Sequence, residues 1–143
     1  MHALKCAIAT VAVAAVMPAA AIADSDHGMT MPGSTHVAKK AMSVKAKVSK
    51  DSMKGYNLKL SAKGFRWAPQ HAGMAFRAGE GHAHLYVDGA KVTRLYGPWF
   101  YLGTLSAGAH TIKVTLNGND HGDFVNRNGK AVESTVRVTV PAS

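Results

Sequence analysis

The chain has 143 residues, with 17 Lys and Arg against 8 Asp and Glu and a formal net charge of +9. Its only cysteine is Cys6, which excludes an intrachain disulfide and a zinc site built from several thiolates. Carboxylates are scarce, and no nucleophile motif, phosphate loop or His-Glu-x-x-His segment occurs, so we expect a protein without enzymatic activity.

The first 23 residues have the pattern of a secretory signal peptide. Lys5 gives a positive start, an apolar stretch follows over residues 7–16, and the segment 21–23 is a small-x-small cleavage site. The apolar stretch is too short to span a bilayer. We therefore predict an exported, periplasmic or secreted protein. This destination argues against a nucleic-acid partner as the cause of the positive charge, and we interpret the lysines as solvated strand faces.

Residues 24–40 are polar and without periodicity, which predicts a flexible tail before a domain at 41–143. The tail carries His27, Met29 and Met31, and thioethers prefer Cu(I) over hard cations. These residues are candidate ligands for capturing copper. The alternative is a disordered leader of incidental composition.

Beyond residue 41 the hydrophobic pattern has a period of two. Alternating segments occur over residues 42–48, 56–60, 83–87 and 110–116, and the last lies at 136–140. Asp88-Gly89 is a two-residue hairpin signal. The pattern predicts an all-β fold of seven to eight strands, an antiparallel β-sandwich of immunoglobulin-like or cupredoxin-like form.

Two histidines begin one of these strands, in Gly81-His82-Ala83-His84. Side chains at i and i+2 share one face of a strand, so both imidazoles are expected to lie together. Since Ala83 and Leu85 alternate with them as core positions, we expect the pair to face outward on the surface. Imidazole is a common ligand of copper and zinc. The alternative is a pair of exposed polar residues without a ligand.

A metal site needs further ligands from neighbouring segments. His121 is the expected third ligand, because its loop is polar and contains glycine. Asp120 is expected to be a ligand or to orient a histidine, and Glu80 could have the second of these roles. Met74 is a candidate soft ligand for copper, although an apolar gap-filling contact is the commoner use of such a residue.

Two other features favour structural roles. His110 precedes a core-facing set, which predicts a partly buried imidazole bonded to backbone. The aromatic segment 96–101 contains Trp99; we favour a core position for this ring over a surface that binds a sugar or a protein.

The segments 79–89, 94–96, 108–111 and 119–121 resemble a family of small exported bacterial β-sandwich proteins with Gly-His-x-His-Leu-x-Val-Asp and Asn-Asp-His motifs. The chain is more loosely similar to periplasmic copper-binding domains of cupredoxin-like or immunoglobulin-like form. The resemblance implies copper as the ion, with zinc as the alternative. A blue-copper site needs a cysteine thiolate, so transport, buffering or resistance fits better than electron transfer.

We therefore expect an exported, non-enzymatic metal-binding protein whose partner is a metal ion and, in addition, another envelope protein. The alternative is an envelope interaction module that binds a protein or glycan without metal.

Overall fold

A computed structural model describes residues 34–142 of the chain. This part contains ten β-strands and one 3₁₀ turn at Pro69–His71. The strands are β1 Thr35–Val37, β2 Ser43–Lys50, β3 Tyr56–Lys63, β4 Arg66–Trp67, β5 Glu80–Val87, β6 Ala90–Leu95, β7 Trp99–Gly103, β8 Gly108–Gly118, β9 Asp123–Val125 and β10 Glu133–Val140. Seven of them have five or more residues, and β1, β4 and β9 have two or three. The all-β prediction is confirmed.

The strands form two sheets. The larger has seven strands in the order β1-β9-β8-β5-β4, with β10 also paired to β8 and β6 to β5. The smaller is the antiparallel sheet β2-β3-β7. The prediction of purely antiparallel pairing was wrong, because β1 pairs with β9 and β4 with β5 in parallel. These short strands are not joined by hairpins to their neighbours, so no turn dictates their direction.

The hydrophobic core lies between the two sheets, and the arrangement is sandwich-like. Alternate aliphatic residues of the central strands point into it, as the period of two predicts. They are Val44, Leu58 and Leu60 from the smaller sheet and Ala83, Leu85, Ile112, Val114 and Leu116 from the larger one.

The domain begins before residue 41. Thr35–Val37 pairs with Asp123–Val125, and Ala38 is buried. The segment 34–40, predicted as the end of a flexible tail, therefore belongs to the folded domain. Its three-residue strand is too short to show a period in the sequence. The other tail residues lie outside the described part.

The Asp88-Gly89 hairpin between β5 and β6 is present, with positive φ at both residues (52° and 85°). This backbone conformation is the one that two-residue hairpins require. Over residues 34–142, no helix has the length and apolar character needed to cross a membrane.

Candidate metal centre

Strand β5 places His82 and His84 on the same face, opposite the core residues Ala83 and Leu85. The predicted alternation is therefore confirmed. The predicted exposure is wrong, because His82 is 0% and His84 6% accessible. Both imidazoles lie in a second, polar interior on the far side of the larger sheet.

Neighbouring strands and one loop enclose this polar interior. On the neighbouring strand β8, Asn117 pairs with His82 and Thr115 pairs with His84, and both Asn117 and Thr115 are buried. Strand β5 is hydrogen-bonded to β8 on one edge and to β6 on the other, so side chains from both neighbouring strands flank its polar face. The Tyr96 ring follows β6, with its centroid 5.3 Å from that of His82.

The loop between β8 and β9 brings a third histidine over the pair. The ring centroid of His121 lies 5.2 Å from that of His82 and 6.2 Å from that of His84. The loop is closed by a hydrogen bond from the Gly118 amide to the Gly122 carbonyl, and His121 has a φ of 69°. Left-handed backbone at a residue with a side chain carries an energetic cost and often marks a functional position.

The ligand atoms of His82, His84 and His121 all lie within 4.8 Å of one another. The Nε2 atoms of His82 and His84 are 2.9 Å apart. Two ligands bound at 2.0–2.1 Å in a tetrahedral arrangement are about 3.3 Å apart. The buried pair is thus close to ligand spacing, and the exposed His121 brings a third imidazole nitrogen within 4.8 Å of both.

The environment keeps these histidines neutral. Burial, with the nearby His121 and Arg94, lowers the pKa of His82 to about 4. Burial, with Lys91 and His82, lowers the pKa of His84 to about 3. Burial and Arg94 also lower the pKa of His121. A metal binds the neutral imidazole, so protons compete weakly for this site.

Several buried polar atoms around the pair have no hydrogen-bond partner of normal geometry in the described structure. They include Nδ1 of His82, the Tyr96 hydroxyl and both amide atoms of Asn119. Such groups call for an explanation, and an ion or water in the site is one. When Nε2 of His82 binds a metal, Nδ1 carries the proton and needs an acceptor. The buried Asn119 is close enough to act on the pKa of His82.

Asp120 does not join the three histidines. Both of its carboxylate oxygens accept hydrogen bonds from Nε2 of His36, at 3.0 and 2.9 Å. One also accepts from the Gly122 amide at 3.2 Å. The structure thus gives Asp120 a role in fixing the loop that carries His121. His36 was missed because it lay in the segment predicted to be a tail.

Glu80 lies on the same face of β5 as His82, and its carboxylate is 2% accessible. It binds the guanidinium of Arg66 and Nδ1 of His71, and Arg77 lies 4.0 Å away. Glu80 is therefore held by these three groups. Glu80 was expected to orient a metal-binding histidine, but its hydrogen bonds go to Arg66 and His71 and to none of the three clustered histidines.

The remaining candidate ligands stay predictions. Met74 lies in the loop before β5 with 49% of its surface exposed. His27, Met29 and Met31 lie outside the described residues.

His110 is bonded as predicted, with a ring nitrogen 2.9 Å from the Ser106 carbonyl. Its other ring nitrogen lies 2.7 Å from Oδ2 of Asp88. This carboxylate raises the pKa of His110. His110 is thus engaged at the hairpin end of β5 and is not one of the three clustered histidines.

The core position favoured for Trp99 was wrong, since Trp99 is 61% and Tyr101 53% exposed. Along β7, Phe100 and Leu102 take the inward positions, so the residues of the other parity face outward. Position parity along β7, and not ring size, thus decides which of its side chains are buried.

Comparisons with protein-family models, with curated proteins and with solved structures gave no match. What the fold and the geometry show is a small all-β domain with a cluster of three histidines that could hold a metal ion.

Proposed function

We propose that this protein is an exported, non-enzymatic metal-binding protein that handles copper for transport, buffering or resistance. The observation that carries the proposal is the convergence of His82, His84 and His121. Two of the three imidazoles are buried and neutral. Burying polar rings without full hydrogen bonding costs free energy, and such groups cluster at functional sites.

The donor set favours copper. Within the described cluster all three donors are imidazoles, which suit copper and zinc better than magnesium or calcium. Arg94 lies directly across from His84 on β6, and its charge and that of Lys91 act on the cluster. Positively charged neighbours repel a monovalent cation more weakly than a divalent cation. This supports Cu(I) over Zn(II), and zinc is the alternative outcome of the test.

The sequence supplies the rest of the proposal. The signal-peptide pattern of residues 1–23 supports export, and His27, Met29 and Met31 would capture or transfer Cu(I). The relationship to small exported β-sandwich proteins and to cupredoxin-like or immunoglobulin-like copper proteins stays part of this proposal.

Calorimetric titration of the metal-free full-length protein with Cu(I), Cu(II) and Zn(II) tests the assignment. His121→Ala is the main variant, because His121 is exposed and its loss leaves the sheet intact. We expect a loss of copper affinity of roughly 10- to 100-fold or more, and a similar loss in His84→Ala. His110→Ala is the matched control, since this histidine lies outside the cluster. Equal affinity in wild type and His121→Ala would contradict the proposal.

One observation favours a second function, an interaction module that binds a glycan or an envelope protein. Trp99 and Tyr101 expose aromatic surface on the outside of the smaller sheet, with Nζ of Lys59 5.0 Å from the centre of the Trp99 ring. Exposed aromatic rings stack on sugars and anchor protein contacts. Retention on immobilised polysaccharide that is lost in Trp99→Ala and kept in His121→Ala would support this function over metal binding.

A further inference from the structure

A cavity of about 630 Å³ lies beside the start of β5, and the β5–β6 hairpin is at the other end of this strand. The segment 35–42 and the turn between β3 and β4 form part of its wall, together with the segment before β5. Its volume is within the range of small-molecule sites. None of the three clustered histidines lines it.

The floor of the cavity is aromatic. Phe65 and Phe76 each lie with their ring centroids 5.9 Å from that of Phe124. His36 stacks on Phe76 at 3.6 Å with an angle of 15° between the rings. Phe76 nevertheless remains 36% exposed. An apolar, flat-walled floor with an accessible ring is suited to a planar hydrophobic group.

The rim of the cavity is positively charged. Lys39, Lys40 and Arg66 line it, and no Asp or Glu is among the lining residues. Lys39 and Lys40 are exposed. Arg66 binds Glu80, yet 70% of its side chain is exposed and it has further donors to offer. A second depression shares Lys40 and adds Arg127, again with no carboxylate in its lining.

We propose that this cavity binds a small aromatic carboxylate. The ring would lie against the accessible part of Phe76, which packs on the buried Phe124, and the carboxylate would be held by Lys39, Lys40 and the free donors of Arg66. The aromatic floor disfavours a wholly polar anion such as phosphate, because burying the phenylalanine surface requires an apolar partner. The charged rim disfavours a neutral hydrocarbon, which would offer no counter-ion to Lys39 and Lys40. This inference does not depend on metal binding.

Heteronuclear NMR titration of the full-length protein with 2-naphthoate tests the proposal. We expect saturable shifts of the amides at residues 35–42, 64–66 and 76–79, with little change on the outer face of β2. Phe76→Ala should weaken binding roughly tenfold, and Lys39→Ala/Lys40→Ala by a similar factor. Lys45→Ala/Lys47→Ala removes the same charge from an exposed strand face and should bind like wild type.

Neutral 2-naphthalenemethanol is the test of the charged rim, and it should bind at least tenfold more weakly than the carboxylate. Equal affinity for the alcohol and the carboxylate would overturn the proposal. So would equal weakening by both double-lysine variants, because binding would then follow net charge and not the cavity. The wild-type shift map decides the location even if a variant is poorly folded.

Discussion

The Nε2 atoms of His82 and His84 face each other at 2.9 Å in the polar interior of the larger sheet. Two ring nitrogens at this distance share one proton, with one imidazole donating and the other accepting. A metal ion that uses both nitrogens must displace this proton and separate them slightly. The same contact therefore holds the pair together without metal and keeps both ring nitrogens directed at one point.

The pH dependence of metal binding should be unusually shallow. Three ordinary histidines near pKa 6.5 would each release a proton on binding, giving a slope of about three in log affinity against pH below that value. The pKa values of His82 and His84 are about 4 and about 3, so only His121, whose pKa is also lowered, can compete between pH 5 and 6.5. We expect a slope of about one or less, measured by copper titration with a chelator of known pH dependence. A slope of two or more would show that at least one histidine of the buried pair is protonated in the metal-free protein.

Arg94 should weaken metal binding. It lies opposite His84 on the neighbouring strand, and its charge lowers the pKa of all three histidines. The same repulsion acts on a bound cation, so Arg94→Gln should raise affinity about two- to tenfold, with a larger effect for a divalent ion than for Cu(I). Arg137→Gln removes the same charge from an exposed position of β10 and is the matched control. Unchanged affinity for Zn(II) in Arg94→Gln would contradict the electrostatic argument.

The Asp88–His110 pair should make its own contribution to the pH dependence of stability. Asp88 raises the pKa of His110 in the folded state. Because the folded pKa exceeds the unfolded value, this contribution is present below about pH 6.5 and is lost as pH rises through the folded pKa. In Asp88→Asn the pKa of His110 should fall towards its ordinary value, as followed by NMR of the ring protons.

Asparagine is a conservative choice at this position, because it tolerates the positive φ of residue 88 and can still accept from the Thr111 amide. Ser106→Ala is the control, since it keeps the Ser106 carbonyl that bonds His110. If His110 titrates identically in wild type and Asp88→Asn, the ion pair does not set its pKa.

The sequence was sufficient to predict the longer strands and the faces of β5, because a period of two is a property of the backbone itself. It also indicated His121 as the partner of the histidine pair. Burial of the pair could not be predicted in this way. Alternation says that His82 and Ala83 face opposite sides, but it does not say whether the polar side meets solvent or, as here, Asn117, Tyr96 and a loop.

The position of Asp120 depended on a partner that no local pattern revealed. Its carboxylate binds His36, which is 84 residues away in the sequence and lies in a three-residue parallel strand. Neighbours in a tight turn point in different directions, so the adjacency of Asp120 and His121 did not imply a shared ligand. Long-range pairing of this kind becomes visible only when the strands are assembled.

Gly81 should be indispensable to the position of the histidine strand. A Cβ at this residue would lie 1.9 Å from the backbone oxygen of Asn117 on β8, and backbone cannot move aside as a flexible side chain can. Gly81→Ala should therefore separate β5 from β8 beside His82, lowering the free energy of unfolding by roughly 3 kcal/mol or more and weakening copper binding. Gly97→Ala is the matched control, because a Cβ there meets nothing within 4 Å and the change should cost less than about 1 kcal/mol. Urea denaturation of both variants measures the difference. Equal midpoints and slopes in the two variants would mean that β5 and β8 do not approach as closely as the Gly81–Asn117 contact requires.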